Sequence, residues 1–198
     1  MRISEKYEAA HWKALKFKCE KDWEQGIAIF VDRIQGRFFN FVDKIKDDTY
    51  AGFAVMALDC LLIETLQQFR EGVEESSIVV NGRTKGQSKE FFKRFLTKTS
   101  FKKYFNDDMA VIFFKKIRCG ILHQAEIKGD SRIRICKSDP LVKKTDNEGL
   151  IINRQLFHMQ LEEVFREYVE DLRDPANSDL REKFKNKMNF ICASGGEI

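Results

Sequence analysis

One short segment, residues 118–126 with the sequence RCGILHQAE, carries the residue types best suited to chemistry. His123 contributes an imidazole, which titrates near neutral pH and can therefore accept or donate a proton. Arg118 contributes a guanidinium, which stays charged and offers forked N–H donors to an anionic group. The pair predicts acid–base chemistry on a phosphate or a similar anion, provided that the fold brings both side chains to one site.

Other common chemistries lack their sequence signatures. The sequence contains no G-x-x-x-x-G-K-[ST] or G-x-G-x-x-G nucleotide loop, no H-E-x-x-H metal motif and no G-x-S-x-G nucleophile turn. His158 and Glu162 are four residues apart in a predicted helix, but two ligands do not make a metal site. We therefore expect neither a metal ion nor a cofactor.

Apolar residues at steps of three and four predict helices along most of the chain. A short helix is expected over residues 4–17 with Ser4 as its cap, and a long one over residues 23–45. Residues 49–73 are apolar on more than one face, which predicts the central, most buried helix. Further helices are predicted over residues 91–98, 109–123, 157–172 and 178–191.

Three segments interrupt this helical period. Residues 74–88 contain the turn signal Asn81-Gly82 and are predicted to form a loop. Residues 131–152 hold an alternating Arg-Ile-Arg-Ile run and a later Leu-Ile-Ile run, which predicts a small β-hairpin after the motif helix. The tail, residues 193–198, is expected to be loose. The resulting fold is an all-α helical bundle with a β-hairpin insertion, formed by residues 1–198 as a single domain.

Composition favours an ordinary globular protein of a reducing compartment. Hydrophobic residues make up 43% of the chain, and 18 phenylalanines are available for a core. The five cysteines are an odd number without a C-x-x-C pair, which argues against a disulfide framework and a zinc cage. The N-terminus lacks the apolar stretch of a signal peptide, and the longest apolar tract, residues 51–66, contains Asp59 and Glu64. We expect a cytoplasmic protein with no membrane partner.

Charge is distributed unevenly along the chain. The net charge is only +4, but residues 83–144 contain 17 Lys and Arg against 6 Asp and Glu. Such a basic segment is typical of a surface that binds a polyanion. Alternatively, the basic middle of the chain packs against its own acidic flanks.

The segment from Arg118 to His123 resembles the Arg-x(4–6)-His signature of the HEPN superfamily. The segment follows an apolar helix, and its Ile121 and Leu122 are expected to pack inward. The mostly polar residues 124–126 follow the motif. The resemblance implies a HEPN-like helical bundle that cleaves RNA without a metal, in a defence or toxin–antitoxin setting. In that role His123 would move the proton of a ribose 2′-hydroxyl, and Arg118 would hold the scissile phosphate.

Further residues belong to the predicted site. Cys119 occupies a position where related motifs commonly have Asn, Asp or His, and a thiol is a weak hydrogen-bond partner, so turnover is expected to be low or absent. Cys119 also fits the description of a small buried residue. Gln124 flanks the motif, and either Asp59 or Glu64 of the central helix could orient Arg118. Alternatively, the two carboxylates simply mark the solvent-exposed edge of that helix. RNA phosphates are expected at three lysines, which otherwise form a solvated face: Lys115, Lys116 and Lys128.

Helix geometry separates the two principal residues. Five residues on a regular helix correspond to about 140° of rotation and roughly 7.5 Å of rise, so Arg118 and His123 do not converge on one face. The resemblance implies a homodimer, in which two motifs meet in a shared cleft, and also a possible antitoxin or nucleotidyltransferase partner. The alternative is a catalytically inactive module of the same type that binds RNA, a nucleotide or a protein.

Overall fold

The computed structural model describes residues 1–80, 83–136 and 138–193. Helices account for 63% of the structure and strands for 10%, so the prediction of a helical fold with a small β insertion is confirmed at the level of fold class. The predicted turn at Asn81-Gly82 and residues 194–198 of the predicted tail lie outside the described residues. Ala193, which was assigned to the tail, is the last residue of the final helix.

The N-terminal helix is much shorter than predicted. Helix α1 covers Ala9–Lys13, and the residues before it form a turn that is closed by a bridge between Arg2 and Glu8. Ser4, the predicted cap, lies in that turn, where its Oγ accepts a hydrogen bond from the Tyr7 amide at 3.1 Å. The predicted start of the helix was wrong because this short-range hydroxyl contact stabilises a turn instead.

The long second helix follows the predicted apolar stripe. Helix α2, Glu20–Ile34, continues through a π-helical segment, Gln35–Phe39, into α3, Asn40–Ile45. The π turn accommodates an extra residue and rotates the stripe slightly, which apolar spacing alone does not reveal. The buried side chains include Ile27, Phe30 and Ile34 of α2, Phe39 of the π-helical segment and Val42 of α3, whereas Phe41 is 53% exposed.

Helix α4, Gly52–Glu71, is the central helix predicted over residues 49–73. It ends at Gly72, whose φ of 69° lies in the left-handed region that glycine adopts readily. A Cβ at this position would lie 2.7 Å from the Cα of Lys183, so the close helix approach also requires glycine. Helix α4 packs, among other elements, against α5, Ser88–Lys98, α8, Arg154–Arg173, and α9, Ser178–Ala193.

The segment predicted as a loop over residues 74–88 contains a β-hairpin. Strand β1, Ser77–Val80, pairs antiparallel with β2, Arg83–Gly86. The loop prediction was wrong because the turn residues were weighted above the β-branched run Ile-Val-Val, which favours a strand. A 3₁₀ turn, Ser100–Lys103, follows α5.

The motif lies on a helix with three consecutive parts. Helix α6, Asp107–Ile112, is capped by Asn106, whose side chain accepts a hydrogen bond from the Met109 amide. A π-helical segment, Phe113–Arg118, follows and leads into α7, Cys119–Gln124. Local π turns often occur at functional sites, and this one ends at Arg118.

A three-stranded sheet connects α7 to α8. Its strands are β3, Arg132–Arg134, β4, Val142–Lys144, and β5, Leu150–Asn153, with β5 in the centre. The prediction of one hairpin over residues 131–152 was wrong, because β3 runs parallel to β5 and the antiparallel partner of β5 is β4. The lysine-rich sequence of β4 carries no strand signal, and for that reason the third strand was missed.

Aromatic rings form much of the core. The rings of Phe113 and Phe157 stack at 5.2 Å with planes only 9° apart, which fixes the π-helical segment of the motif helix against α8. Phe30 of α2 lies at the centre of a second cluster, with ring centres 4.6 to 5.6 Å from those of Phe69, Phe165 and Phe184.

Among the described helices, α4 alone is long and apolar enough to cross a membrane by length and composition. Half of its most apolar 18-residue window is buried inside the protein. The core helix of a globular protein meets the same criteria, so this property is weak support for a membrane span.

Candidate functional site

The backbone of the motif folds back on itself at the end of α7. The helix ends at Ala125, whose φ of 51° lies in the left-handed region, and the Glu126 amide then donates to the carbonyl oxygen of Gly120 at 3.3 Å. A Cβ at Gly120 would lie 2.3 Å from the carbonyl oxygen of Glu126, so this return of the chain requires glycine. The motif therefore occupies a tight helix end.

The Arg118 guanidinium is held by an acid and two aromatic rings. Its Nη2 donates to Oε2 of Glu64 at 2.9 Å, and each of these side chains is only 15% exposed. The guanidinium carbon lies 5.4 Å from the ring centre of Phe114 and 5.9 Å from that of Phe92. Glu64, one of the two predicted orienting residues, thus does contact Arg118.

Glu64 is held in its charged form by hydrogen bonds. Burial raises the pKa of Glu64, but hydrogen bonds from Ser88, Arg118 and Ser76 outweigh it and place that pKa below its ordinary value. The Ser88 hydroxyl donates to Oε1 at 2.5 Å, which leaves Oε2 for Arg118. The carboxylate therefore remains a stable anchor for the guanidinium at neutral pH.

His123 lies in the last turn of α7 with its side chain exposed. Within the described part of the chain its ring makes no hydrogen bond, so it is not a helix-end histidine held by a backbone carbonyl. Arg118 and His123 belong to the same helix end, but no hydrogen bond connects them within one chain. The imidazole is available to a bound molecule or to a second subunit.

Three other predicted residues have different surroundings. Cys119 is half-buried, and Gln124 is exposed. Asp59 is buried and pairs with His158, so the prediction that it could orient Arg118 was wrong. Asp59 precedes Glu64 by five residues, which corresponds to about 140° of rotation, and the two carboxylates consequently face different sides of α4.

The predicted RNA-binding lysines are not equivalent. Lys115 and Lys128 are exposed. The Nζ of Lys116 donates to the carbonyl oxygen of Glu148 at 2.8 Å, in the turn between β4 and β5. Lys116 therefore tethers the sheet to the motif helix, while Lys115 and Lys128 keep their charges free in solvent.

A cavity of about 440 Å³ opens beside the exit of the motif. Tyr50, which is 93% exposed, lies at its edge, where a flat ring offers a stacking surface. The sequence does not predict this cavity, because its walls come from three segments that are distant in the chain. The arginines of the alternating Arg-Ile run indicate only that one wall is polar. Its lining includes Glu126, Ile127, Arg132, Arg134 and Phe53.

An apolar strip on α4 connects this cavity to the anchor of Arg118. The strip comprises Phe53, Ala54, Ala57 and Leu61, with Phe53 40% and Leu61 45% exposed. Residues at steps of three and four lie on one helix face, so the strip leads from the cavity to Glu64. It is a largely exposed apolar surface that leads to the carboxylate that holds Arg118.

Away from the motif, Asp43, His158 and Glu162 each present a potential ligand atom, and these atoms lie within 4.8 Å of one another. Burial lowers the pKa of His158, but the hydrogen bond that its Nδ1–H donates to Asp59 and the charges of Asp59, Glu162 and Asp43 outweigh it and raise that pKa. The position therefore carries a strongly negative field. Sequence reasoning considered only His158 and Glu162, because Asp43 lies on a different helix.

No protein-family model, no curated protein and no solved structure matches this chain. The family suggested by the segment from Arg118 to His123 therefore stays a prediction.

Proposed function

We propose that this protein is a metal-independent endoribonuclease of the HEPN type, active as a homodimer in the cytoplasm. The observation that carries the proposal is the arrangement at one helix end: Arg118 is fixed by Glu64, and His123 is exposed and makes no side-chain hydrogen bond to the residues that the structure describes. A fixed cation can stabilise charge on a phosphoryl group and a free imidazole can move a proton, and both suit phosphodiester cleavage by a neighbouring hydroxyl.

The proposed reaction uses the ribose 2′-hydroxyl of the substrate as the nucleophile. His123 of one subunit accepts the hydroxyl proton while the 2′-oxygen attacks the phosphorus atom. The bond from phosphorus to the 5′-oxygen breaks, and a protonated imidazole of the second subunit donates a proton to that leaving oxygen. Arg118 stabilises the charge that develops on the phosphoryl oxygens. The products are a 2′,3′-cyclic phosphate and a 5′-hydroxyl.

Dimerisation supplies the convergence that one helix end lacks. The apolar strip on α4 is a suitable contact surface, because exposed apolar side chains are stabilised by burial between subunits. Its position between the cavity and Glu64 would place two motifs on either side of a shared seam. A symmetric contact of this kind is the commonest form of homodimer.

The cavity at the motif exit is the proposed binding site for a nucleotide next to the cleaved bond. Tyr50 and Phe53 provide rings on which a base can stack, and Arg132 and Arg134 provide charge for phosphates. Exposed Lys115 and Lys128 extend the basic surface. An antitoxin or a nucleotidyltransferase that covers this surface is part of the same proposal.

A second candidate is a module that binds RNA without cleaving it. It is favoured by the burial of Arg118, which is engaged by Glu64, and by Cys119 in place of a stronger hydrogen-bonding residue. Such a module would retain salt-sensitive RNA binding, because phosphate contacts release counterions.

The two candidates are separated by incubating the purified protein with labelled RNA in EDTA. If the protein is the proposed enzyme, the natural protein cleaves the RNA, and the cleavage rate falls about 100-fold or more in His123→Gln. Arg118→Lys, which keeps the charge but loses the forked donors, should lower the rate by roughly 100-fold. His11→Gln, at an exposed histidine on α1, serves as the matched control and should cleave like the natural protein. RNA binding without any cleavage by the natural protein would identify the module instead.

A further inference from the structure

A second cluster of chemically capable residues lies where α3 meets α8. It consists of Asp43 from α3 with His158 and Glu162 from α8. The ligand atoms of these three side chains lie within 4.8 Å of one another. The cluster shares no residue with the motif that supports the proposed ribonuclease activity.

His158 is buried and oriented by a carboxylate behind it. Its Nδ1 lies 2.7 Å from Oδ1 of Asp59, and the two side chains are 3% and 1% exposed. The ring of Phe39 meets the imidazole edge to face, with ring centres 5.7 Å apart. These contacts fix both the tautomer and the direction of the ring.

Among the residues that the structure describes, the other ring nitrogen of His158 has no hydrogen-bond partner. Its Nε2 is fully buried, and the nearest acidic atom, Oε1 of Glu162, lies 3.8 Å away, beyond hydrogen-bonding distance. A buried polar atom without a partner is costly, so such an atom aimed at two carboxylates needs an explanation. A cation placed between Nε2 and the carboxylate oxygens would satisfy all three groups at once.

We propose that Asp43, His158 and Glu162 form a binding site for a divalent first-row transition ion such as Zn²⁺, with Asp59 as the residue that positions His158. One imidazole nitrogen and two carboxylate oxygens are a ligand set that such ions accept. A carboxylate that holds the remote nitrogen of a ligating histidine is a recurrent feature of these sites.

The surroundings of the cluster provide space and charge for an ion. A cavity of about 380 Å³ is lined by His158 and Glu162 and leaves room for water to complete the coordination. Asp43, Glu162 and Asp59 place three carboxylates around one imidazole, and their negative charge attracts a cation.

Lys46 is the natural competitor for this position. Its Nζ lies 2.6 Å from Oδ1 of Asp43, and the two side chains are 40% and 46% exposed. An ion pair with this exposure contributes little stability, so a divalent ion can displace the ammonium group. Removal of the Lys46 charge should therefore strengthen metal binding.

The proposal is tested by titrating the EDTA-treated, dialysed full chain with Zn²⁺ in a calorimeter at about pH 8, where imidazole is largely neutral. One equivalent should bind, and Asp43→Asn and Glu162→Gln should each lower the affinity about 10-fold or more. Asp59→Asn should lower it by about 10- to 100-fold through the orientation of His158. Lys46→Gln should raise the affinity. Co²⁺ bound in place of Zn²⁺ should give visible absorption bands that the Glu162→Gln variant loses.

Matched controls distinguish this site from binding elsewhere. Glu163→Gln removes an exposed neighbouring carboxylate that pairs with Arg166, and Asp47→Asn removes a carboxylate from the same cavity. Both should leave Zn²⁺ affinity unchanged. The absence of one-equivalent binding by the natural protein would overturn the proposal. Affinity that is unchanged in both Asp43→Asn and Glu162→Gln would do the same, since the ion would then be bound by other groups such as the exposed cysteine Cys19.

Discussion

Arg118 and His123 differ in how many contacts each side chain makes within the protein. The guanidinium is paired with Glu64 and packed beside Phe92 and Phe114, so its direction is fixed before any substrate arrives. The imidazole is exposed and unbonded within the described residues. A fixed electrostatic group costs little reorganisation during a reaction, whereas a proton carrier must be able to reach the substrate.

Substitution Glu64→Gln tests the anchor of Arg118. The variant keeps the shape of the side chain but leaves the guanidinium partly buried without a countercharge. We expect the free energy of unfolding at neutral pH to fall by about 1–3 kcal/mol. Chemical denaturation measures this loss, and Glu90→Gln on α5, for which no side-chain hydrogen bond or ion pair is seen in the described structure, is the control.

The stability difference between the natural protein and Glu64→Gln should depend on pH. Because the folded-state pKa of Glu64 is lowered below its ordinary value of 4.5, the unfolded chain binds its proton first as the pH falls. The contribution of Glu64 is therefore complete above that ordinary value and is lost as the pH falls through the folded-state pKa. Denaturation of both proteins over acidic pH should show the difference shrinking, and a difference that stays constant would contradict the assignment.

The end of α7 depends on one glycine. The carbonyl oxygen of Glu126 would lie 2.3 Å from a Cβ at Gly120. The backbones of these two residues are also joined by a hydrogen bond from the Glu126 amide to the Gly120 carbonyl oxygen. The tight return of the chain from α7 to the sheet therefore depends on the geometry of the helix end. Lys116 also holds the sheet to the motif helix through its hydrogen bond to the carbonyl oxygen of Glu148. Displacement of this return would move His123 relative to Arg118.

Substitution Gly120→Ala should destabilise the protein by about 1–3 kcal/mol, because the added methyl group forces the backbone apart. Gly36→Ala is the matched control, since a Cβ there would meet its nearest neighbour, Glu5, at an ordinary 3.8 Å. Helical alanine is favoured over glycine, so the control should be neutral or stabilising by up to about 1 kcal/mol. Equal melting temperatures for the two variants would show that the contact at Glu126 relaxes freely.

Sequence periodicity predicted the elements that are governed by local burial. The stripes of α2, α4, α8 and α9 are visible because each helix buries one face against its neighbours. Periodicity did not reveal the π turn that ends at Arg118 or the parallel pairing of β3 with β5. Both depend on tertiary contacts, such as the stacking of Phe113 on Phe157.

The candidate sites follow the same division. The motif residues are close together in the sequence, so residue type and spacing identified them. The partner of Arg118 on α4 could be narrowed to two carboxylates, Asp59 and Glu64, and the structure shows the pair with Glu64. The cluster of Asp43 with His158 could not be predicted, because more than a hundred residues separate the two positions in the chain. Only the packing of α3 against α8 brings them together.

For the molecule as a whole, the proposed activity requires a second copy. The apolar strip on α4 lies between the cavity and the anchor of Arg118, and it is exposed in the single chain. A charge placed in a subunit contact is costly unless it is paired. Dimerisation and RNA cleavage should therefore be lost together when this strip is altered.

Substitution Leu61→Asp should convert a dimer into a monomer and abolish cleavage without unfolding the protein. Sedimentation over a range of concentrations measures the first effect, and the EDTA assay measures the second. Leu156→Asp, at a leucine that is 37% exposed on α8, is the matched control and should remain dimeric and active. A natural protein that cleaves RNA while strictly monomeric would exclude the composite site.

The central claim is tested most directly by the chemistry of the RNA ends. The natural protein, supplied with RNA in excess EDTA, is expected to produce 2′,3′-cyclic phosphate and 5′-hydroxyl ends, while His123→Gln at equal concentration produces neither. Ends that carry a 5′-phosphate, or cyclic phosphates that form equally fast with His123→Gln, would contradict a reaction in which this imidazole moves the proton.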